Sequence, residues 1–534
     1  MNIDYISFKE TGYFSNLMID YLEQKKSVQN LYNNYPSLEG IGEQMLEKRN
    51  HFSKDKRGVL CAALKQQYKG VQASDKTLKN IDALKEENVF TVVTGHQLNL
   101  FTGPFYFLYK IISTINLAKE IEGNNPECKV VPVYWMATED HDFDEINYFN
   151  LHGKKIQWNK EVSGAVGRLS TEGLQEVYKI LEQELGTSKN AKKLTSLFKK
   201  SYLEHTTLTD ATRFLANELF SEYGLVIIDG DSAELKRELI PFVKKDIFEN
   251  IAFKEVSKTI ENIKEQPEKY NVQVNPREIN YFYLKDAIRE RIIEKEGNFL
   301  INNTEIKFTK EELLLELNEF PERFSPNVIA RPLYQEVILP NLCYIGGGGE
   351  IAYWLELKNM FSAMQVPFPV LLLRNSALLM NEKLKGKMEK MNLSVQDLFL
   401  KQNSLINKKI REISNISIDF SEQRAHLKEQ FSAMYSMAEQ TDKSFYGAVK
   451  AQELKQLKGL DVLEKRLLKA QKVKLKDHVI RMADLQNELF PNFSLQERTT
   501  NFSELYVEYG SSLIVDLKNA LKPLLGKFTV ITMN

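Results

Sequence analysis

Five short apolar runs punctuate the first 375 positions, and each ends in a polar or glycine-rich break. They are Val89–Val93, Lys129–Met136, Leu225–Ile228, Asn341–Ile345 and Pro369–Leu373. Apolar runs of four to eight residues without alternation suit strands buried on both faces. Behind the first run, Leu108, Ile111, Ile112 and Ile115 recur at helical spacing, with Pro104 placed for a first turn. Helical patterns also follow the third and fourth runs, in ELKRELIPFVKKDIF and IAYWLELKNMF. Strands alternating with helices predict an α/β fold with a Rossmann-like parallel-sheet core over 89–375. The intervals of about 150–224 and 230–340 are too long for one crossover. They predict inserted connecting subdomains, the second with a small β element near Tyr281–Leu284 and Asn298–Phe308.

The flanks have a different texture. Residues 1–88 read as an N-terminal helical lead-in packed on the core. Between Pro369 and Pro491 there is no proline, and Leu454, Leu457, Leu460, Leu463 and Leu467 recur every three or four residues. That pattern predicts a C-terminal α-helical coiled coil over 376–490. Its long helix is expected to pair antiparallel with about 421–441 across the polar turn near Thr441–Ser444. An apolar seam of this kind needs a partner, so a homodimer through the coiled coil is expected. Residues 491–534 read as a closing element with a final strand, Phe528–Met533.

Composition narrows the function. Lys and Arg number 71 against 72 Asp and Glu, so no overall charge draws the chain to phosphate, and a globally basic nucleic-acid binder is excluded. Lys450–Arg481 is basic but lacks stacking aromatics, which suits a solvated helical face. The three cysteines, Cys61, Cys128 and Cys343, form no CxxC pair. This argues against a disulfide framework and a cysteine-rich zinc site. No secretory signal or membrane-length apolar run is apparent, so a cytoplasmic protein without a membrane partner is expected.

Candidate chemistry gathers after the strands. In a parallel sheet the strand-to-helix loops open on one edge, where ligands bind. Thr94–Asn99, Glu139–Glu145, Asp229–Ser232 and Gly346–Glu350 all fall at such positions. Thr94, Gly95, His96 and Gln97 could hold an anion at a helix start, with His96 as acid or base, or form only a capping turn. Glu139–Glu145 places five carboxylates and His141 in seven residues. Such crowding calls for a cation or a cationic substrate, although a solvated loop with Asp140 and Asp142 as caps is the bland alternative. Gly346, Gly347, Gly348 and Gly349 let a backbone approach a ligand closely, or merely make a tight turn. The segment lacks the lysine of a phosphate-binding GxxxxGK[ST] loop. Arg331 could clamp a carboxylate or phosphate, or be structural.

Three of these stretches together resemble the BshC family, the cysteine ligases of bacillithiol biosynthesis. They are VVTGHQLNLFTGPFYFLYKIISTINLAK (92–119), VPVYWMATEDHDFDEIN (131–147) and PERFSPNVIARPLYQEVILPNLCYIGGGGEIAYWLELKNMF (321–361). The resemblance implies a Rossmann-like core with inserted subdomains, a coiled coil and, commonly, a dimer. It implies a ligase that joins the carboxyl of cysteine to the amine of glucosaminyl-malate. Its core is similar to class I aminoacyl-tRNA synthetases. Gly95-His96-Gln97 stands where their two-histidine motif would be, with one histidine lacking. Lys387-Met388-Glu389-Lys390 is a chance likeness to their lysine-rich loop, since it falls in a helical pattern.

The combined expectation gives each residue a role. His96, Asp140, His141 and Asp142 are catalytic. Thr94, Gly95, Gln97 and Gly346–Gly349 bind the cofactor, expected to be ATP or ADP. Asn99, Asn327, Arg331, Glu350 and Tyr353 bind substrate, and no metal ligand is assigned. The alternative expectation is a metal-dependent hydrolase that uses Glu139–Glu145 as its cage.

Overall fold

A computed structural model describes residues 1–267 and 269–533. The five apolar runs form one parallel sheet. Its strands are β1 (Val89–His96), β2 (Lys129–Met136), β3 (Val226–Asp229), β4 (Asn341–Gly346) and β5 (Val370–Leu373). Their spatial order is β3-β2-β1-β4-β5, with every neighbouring pair parallel. This is the order of a Rossmann half-sheet, with its reversal between β1 and β4. Phe90, Val92, Val130, Cys343, Ile345, Val370 and Leu372 pack into one buried cluster with Leu117 and Ile121 of helix α1 (Tyr106–Asn124). Each fully buried apolar side chain of this size contributes about 1.5–3 kcal/mol, which accounts for unbroken apolar runs where alternation would leave one face wet.

β1 continues three residues past the apolar run, because Gly95 and His96 still find ladder partners in Trp135 and Met136 of β2. Thr94, Gly95 and His96 are therefore strand, where a loop at a helix start, anion-holding or merely capping, was expected. β3 and β4 also each run one residue further, to Asp229 and Gly346.

Helix α1 makes the first crossover. Three helices, Leu174–Leu185, Lys189–Leu203 and Leu208–Phe220, fill most of the insertion between β2 and β3. The insertion between β3 and β4 carries an antiparallel sheet of Tyr281–Lys285, Ile288–Lys295, Asn298–Ile301, Lys307–Phe308 and Phe324–Pro326. Ile288–Lys295 escapes the apolar pattern because seven of its eight residues are not buried. After it come helix α2 (Ala330–Ile338), then β4 and helix α3 (Gly348–Leu355). The lead-in is not wholly helical: it opens with a strand, Asn2–Ile6, beside the closing strand Phe528–Met533.

Residues 1–9, 13–378 and 494–531 form one compact unit. The other comprises 10–12, 379–493 and 532–534. In the second unit, helices α4 (Ser421–Ala438) and α5 (Lys443–Lys474) make an antiparallel hairpin. Asp442 caps α5 by accepting from the backbone of Ser444 and Phe445. The antiparallel register is fixed by Arg424 bonding Asp461 and Glu464, and by the Tyr435 hydroxyl donating to Glu453 at 2.7 Å. Phe431, Ala438 and Val449 form the buried seam. Leu454 and Leu463 lie outside it, about half exposed. α5 ends at Lys474, and after Leu475 helix α6 (Lys476–Leu489) follows, where one unbroken helix was expected. Lys387–Lys390 ends the helix Glu382–Lys390, as its pattern predicts.

Candidate functional site

A cavity of about 690 Å³ opens at the carboxyl ends of β1 and β4, where the strand order reverses. That is the position at which open α/β sheets hold ligands, and the volume suits a small organic molecule. Its walls present seven cations (Lys110, Arg277, Arg289, Arg291, Arg331, Arg374 and Arg498) against four carboxylates (Glu139, Asp140, Asp142 and Glu350). The cavity is thus an attractor for anions.

The β4 loop forms one wall through Gly347, Gly348 and Gly349. None of these glycines has a positive φ. A Cβ on Gly348 would make ordinary contacts with Phe14 and Met18 at 3.6 and 3.8 Å, and one on Gly349 would meet nothing within 4 Å. Neither conformation nor packing requires glycine there, and the bare backbone leaves room for close approach by a ligand. Gly346 differs. It closes β4 outside the cavity, and a Cβ would come within 3.0 Å of Tyr344 and Glu350. It is a packing glycine, not part of a ligand cradle.

Glu350, expected to bind substrate, is tied into the loop. Its Oε1 accepts from Lys110 Nζ at 2.7 Å and its Oε2 from the Gly347 N–H at 2.6 Å. Lys110 also donates to the Gly95 carbonyl at 2.7 Å, so it joins the β1 and β4 loops.

Two arginines leave donors unspent. Arg331 sits 5.7–5.8 Å from the ring centres of Trp135, Tyr344 and Trp354, and its Nη1 donates to Gln335 at 3.1 Å. Its Nη2 is buried without a partner. Tyr353 lines the same wall as Arg331. Arg374 spends Nη1 on Asn375 and Ser376 and Nη2 on Glu497 at 2.7 Å, but its Nε is buried and unpartnered. A buried donor without an acceptor costs about 1–3 kcal/mol, and an anion in the cavity would supply the acceptor. Asn327 lines the same wall, yet its side chain is spent on capping α2. Its Oδ1 accepts from Ile329 and Ala330 N–H, and its Nδ2 donates to Asn280. It therefore positions Arg331.

The acidic loop after β2 divides. Glu139 is buried against Lys236 and lines the cavity; burial pushes its carboxyl up while Lys236 pulls it down. Lys236 and Arg168 also hold Asp231, so the Asp229–Ser232 cluster braces the loop from behind and does not line the cavity. Asp140, His141 and Asp142 have ligand atoms within 4.8 Å of one another, as a metal trio would. Gln97 donates to Asp140 Oδ2 and Glu145 Oε2, both at 2.9 Å. Arg289, stacked 4.1 Å over Phe282, donates to His141 Nδ1. The crowded loop thus already has a cation of the protein's own. With Nδ1 accepting from Arg289, the neutral ring carries its proton on Nε2, which lies 3.9 Å from Asp142, so neither ring nitrogen offers a free lone pair in this arrangement. The carboxylates are better placed to take a proton.

His96 is 7% exposed and packs against the rings of Tyr106 and Phe107. Burial, then the charge of Lys110, holds its imidazole well below the usual histidine range. A side chain held neutral and enclosed suits positioning better than proton transfer. Thr94 is fully buried, outside the cavity, and donates to the Ile345 carbonyl at 2.8 Å. Asn99 lies behind the cavity and donates to the Glu145 carbonyl at 3.1 Å. Neither is placed to touch cofactor or substrate. Lys110, Arg374 and Arg289 were missed by sequence. Arg374 follows the fifth apolar run directly and could have been found by the strand-end rule. Lys110 hides in a helix, and Arg289 in a charged strand.

Residues 1–375 match the family described as bacillithiol biosynthesis BshC, N-terminal Rossmann-like domain. Residues 377–533 match bacillithiol biosynthesis BshC, C-terminal coiled-coil domain. A protein of Christiangramia forsetii named "Putative cysteine ligase BshC" is 59% identical over 531 residues, covering 99% of this chain and 98% of its own. One of Flavobacterium johnsoniae with the same name is 57% identical over 533 residues and covers both chains in full. One of Bacillus cytotoxicus is 29% identical over 516 residues, covering 93% of this chain and 94% of its own.

Proposed function

The chain belongs to the BshC family of bacillithiol biosynthesis, and from that premise we propose that it is a cysteine ligase acting on glucosaminyl-malate. The reaction joins the cysteine carboxyl to the sugar amine and releases the elements of water. In water that condensation is uphill, so the carboxyl is activated first by a phosphate-containing group from ATP, which leaves with the carboxyl oxygen when the amine attacks, and the amine's proton is released. The observation that carries this reading is the cationic cavity at the strand reversal. Its glycine wall and two unpartnered arginine donors suit a ligand with phosphate or carboxylate groups.

In this mechanism the N–H groups of Gly348 and Gly349, Arg374 Nε and Arg331 Nη2 hold anionic oxygens, while the Gly347 N–H stays on Glu350. Asp140, oriented by Gln97, accepts the proton of the attacking amine, and Asp142 adds negative charge that draws the amine in. Arg289 keeps His141 from competing for that proton. The protein works as a homodimer through the α4–α5 hairpin, whose Leu454 and Leu463 are exposed apolar positions needing cover. Three free, buried cysteines suit the reducing cytoplasm. No helix among the described residues is long and apolar enough to cross a membrane.

Titrating ATP, ADP, cysteine and glucosaminyl-malate separately into the full chain, with melting temperature as readout, tests the binding half of the proposal. Stabilisation by glucosaminyl-malate and by ATP is expected, and its loss in Arg331→Met is expected to be larger than any change in the unliganded melting point. No shift with any of the four would remove the cavity as their site.

A further inference from the structure

Behind the main cavity lies a second, much smaller one of about 10 Å³, lined by His96, Asn99, Thr102, Tyr134 and Thr212 among others. Each of these five carries a buried polar atom with no partner among the described residues: His96 Nε2, Asn99 Oδ1, Thr102 Oγ1, Tyr134 OH and Thr212 Oγ1. Buried polar atoms are rarely left unpaired, and five around one small hollow is a concentration that calls for a cause. The hollow is about the size that one water requires.

The donor and acceptor types also match one water. Burial keeps the His96 ring neutral, and Nε2 is its unpartnered nitrogen; with the proton on Nδ1, Nε2 offers a lone pair. The Asn99 amide nitrogen is committed to Glu145, so its oxygen is the free end and also an acceptor. The three hydroxyls can each donate. Two acceptors and a surplus of donors are what a water with two protons and two lone pairs satisfies.

The backbone is bent to supply this set. Phe101 and Thr102 are consecutive non-glycine residues at positive φ, 47° and 69°. That conformation is unfavourable and persists only where surroundings impose it. Here the Phe101 N–H donates to the Tyr202 hydroxyl at 2.8 Å, and Asn501 Nδ2 donates to the carbonyls of Phe101 and Gly103 at 2.8 and 2.6 Å. The turn so held places Asn99 and Thr102 at the hollow.

We propose that the hollow binds one structural water, donated to His96 Nε2 and Asn99 Oδ1 and accepting from the hydroxyls of Tyr134 and Thr212. The water joins the end of β1 to β2, to the 99–102 turn and to the helix Leu208–Phe220. Tyr134 and Thr212 are then positioning residues: through the water they fix the His96 ring, and with it the Gly95–Gln97 floor of the main cavity.

A crystal structure of the full chain at a resolution that orders internal waters tests this. One peak within hydrogen-bond distance of His96 Nε2 and at least two of the other four atoms is expected. An empty hollow, or a direct bond from Tyr134 to His96 Nε2 that closes it, would overturn the proposal. In solution, ¹⁵N-histidine spectra should show His96 neutral, with Nε2 as a hydrogen-bonded acceptor. Thr212→Val, which keeps the side-chain shape, should move that Nε2 resonance towards the unbonded position while the other histidine signals stay. An unmoved resonance in folded Thr212→Val would remove Thr212 from the water's shell.

Discussion

Arg289 changes what the acidic loop means. Five carboxylates in seven residues called for a cation, read from sequence as a metal or a cationic substrate, and a side chain was not foreseen. The guanidinium against His141, delivered by a strand about 150 residues away, supplies it from within. This makes the metal-cage alternative the weaker one. Arg289→Gln should therefore cost stability and ligase activity together, and elemental analysis of the purified wild type should find no stoichiometric divalent metal; one metal per chain, lost in Asp142→Asn, would reverse that conclusion. The glycine loop gives a cleaner separation. Gly348 opens α3 with an ordinary φ, and a Cβ there meets only ordinary contacts. Gly348→Ala should leave unfolding free energy within about 0.5 kcal/mol of wild type and still weaken glucosaminyl-malate or ATP at least several-fold. Calorimetric titration and chemical denaturation of the same variant check both halves.

Two buried carboxylates set a pH dependence on the same scale. Asp246 is pushed up to about 6 and Glu356 to about 7, in both cases by burial, with backbone N–H donors pulling down. Both are below their folded values when unfolded, near pH 4. Between about pH 4 and 7 the folded state therefore holds more protons, and the contribution of these groups falls as pH rises, by about 1.4 kcal/mol per pKa unit. Glu356→Gln should flatten stability between about pH 4 and 7. An unchanged slope would mean that Glu356 does not titrate in that window.

At the scale of elements, the sheet was legible because its strands are buried on both faces and announce themselves as apolar runs. The strand ends were less so. His96 belongs to β1 through a neighbour's ladder, which no local pattern reveals. The exposed strand Ile288–Lys295 and the opening strand Asn2–Ile6 have too few buried residues to read as strands at all. The hairpin was legible from its leucines, but not which of them face inward. Tertiary pairing chose Phe431, Ala438 and Val449 for the seam. The leucines left exposed carry the dimer proposal. Leu454→Glu with Leu463→Glu should give a folded monomer by light scattering, with helix content unchanged. A dimer that survives both changes would place the interface elsewhere.

At the scale of the whole molecule, the cavity draws on the β1, β2, β4 and β5 loops and on the antiparallel sheet inserted before β4. The candidate residues contributed by the strand ends could be foreseen, and Gly95, Gln97, Asp140 and Gly347–Gly349 do meet at one cavity. Arg277, Arg289 and Arg291 could not, because their arrival depends on how an insertion folds back. The central claim is that this cavity condenses cysteine with glucosaminyl-malate at the expense of ATP. The most direct measurement is mass spectrometry of the products formed by purified full-length protein given cysteine, glucosaminyl-malate and ATP. The predicted result is the amide, one ATP consumed for each amide formed, and a rate reduced about 10²–10⁴-fold in folded Asp140→Asn. No amide from the wild type, amide formed without ATP consumption, or an undiminished rate in Asp140→Asn would contradict it.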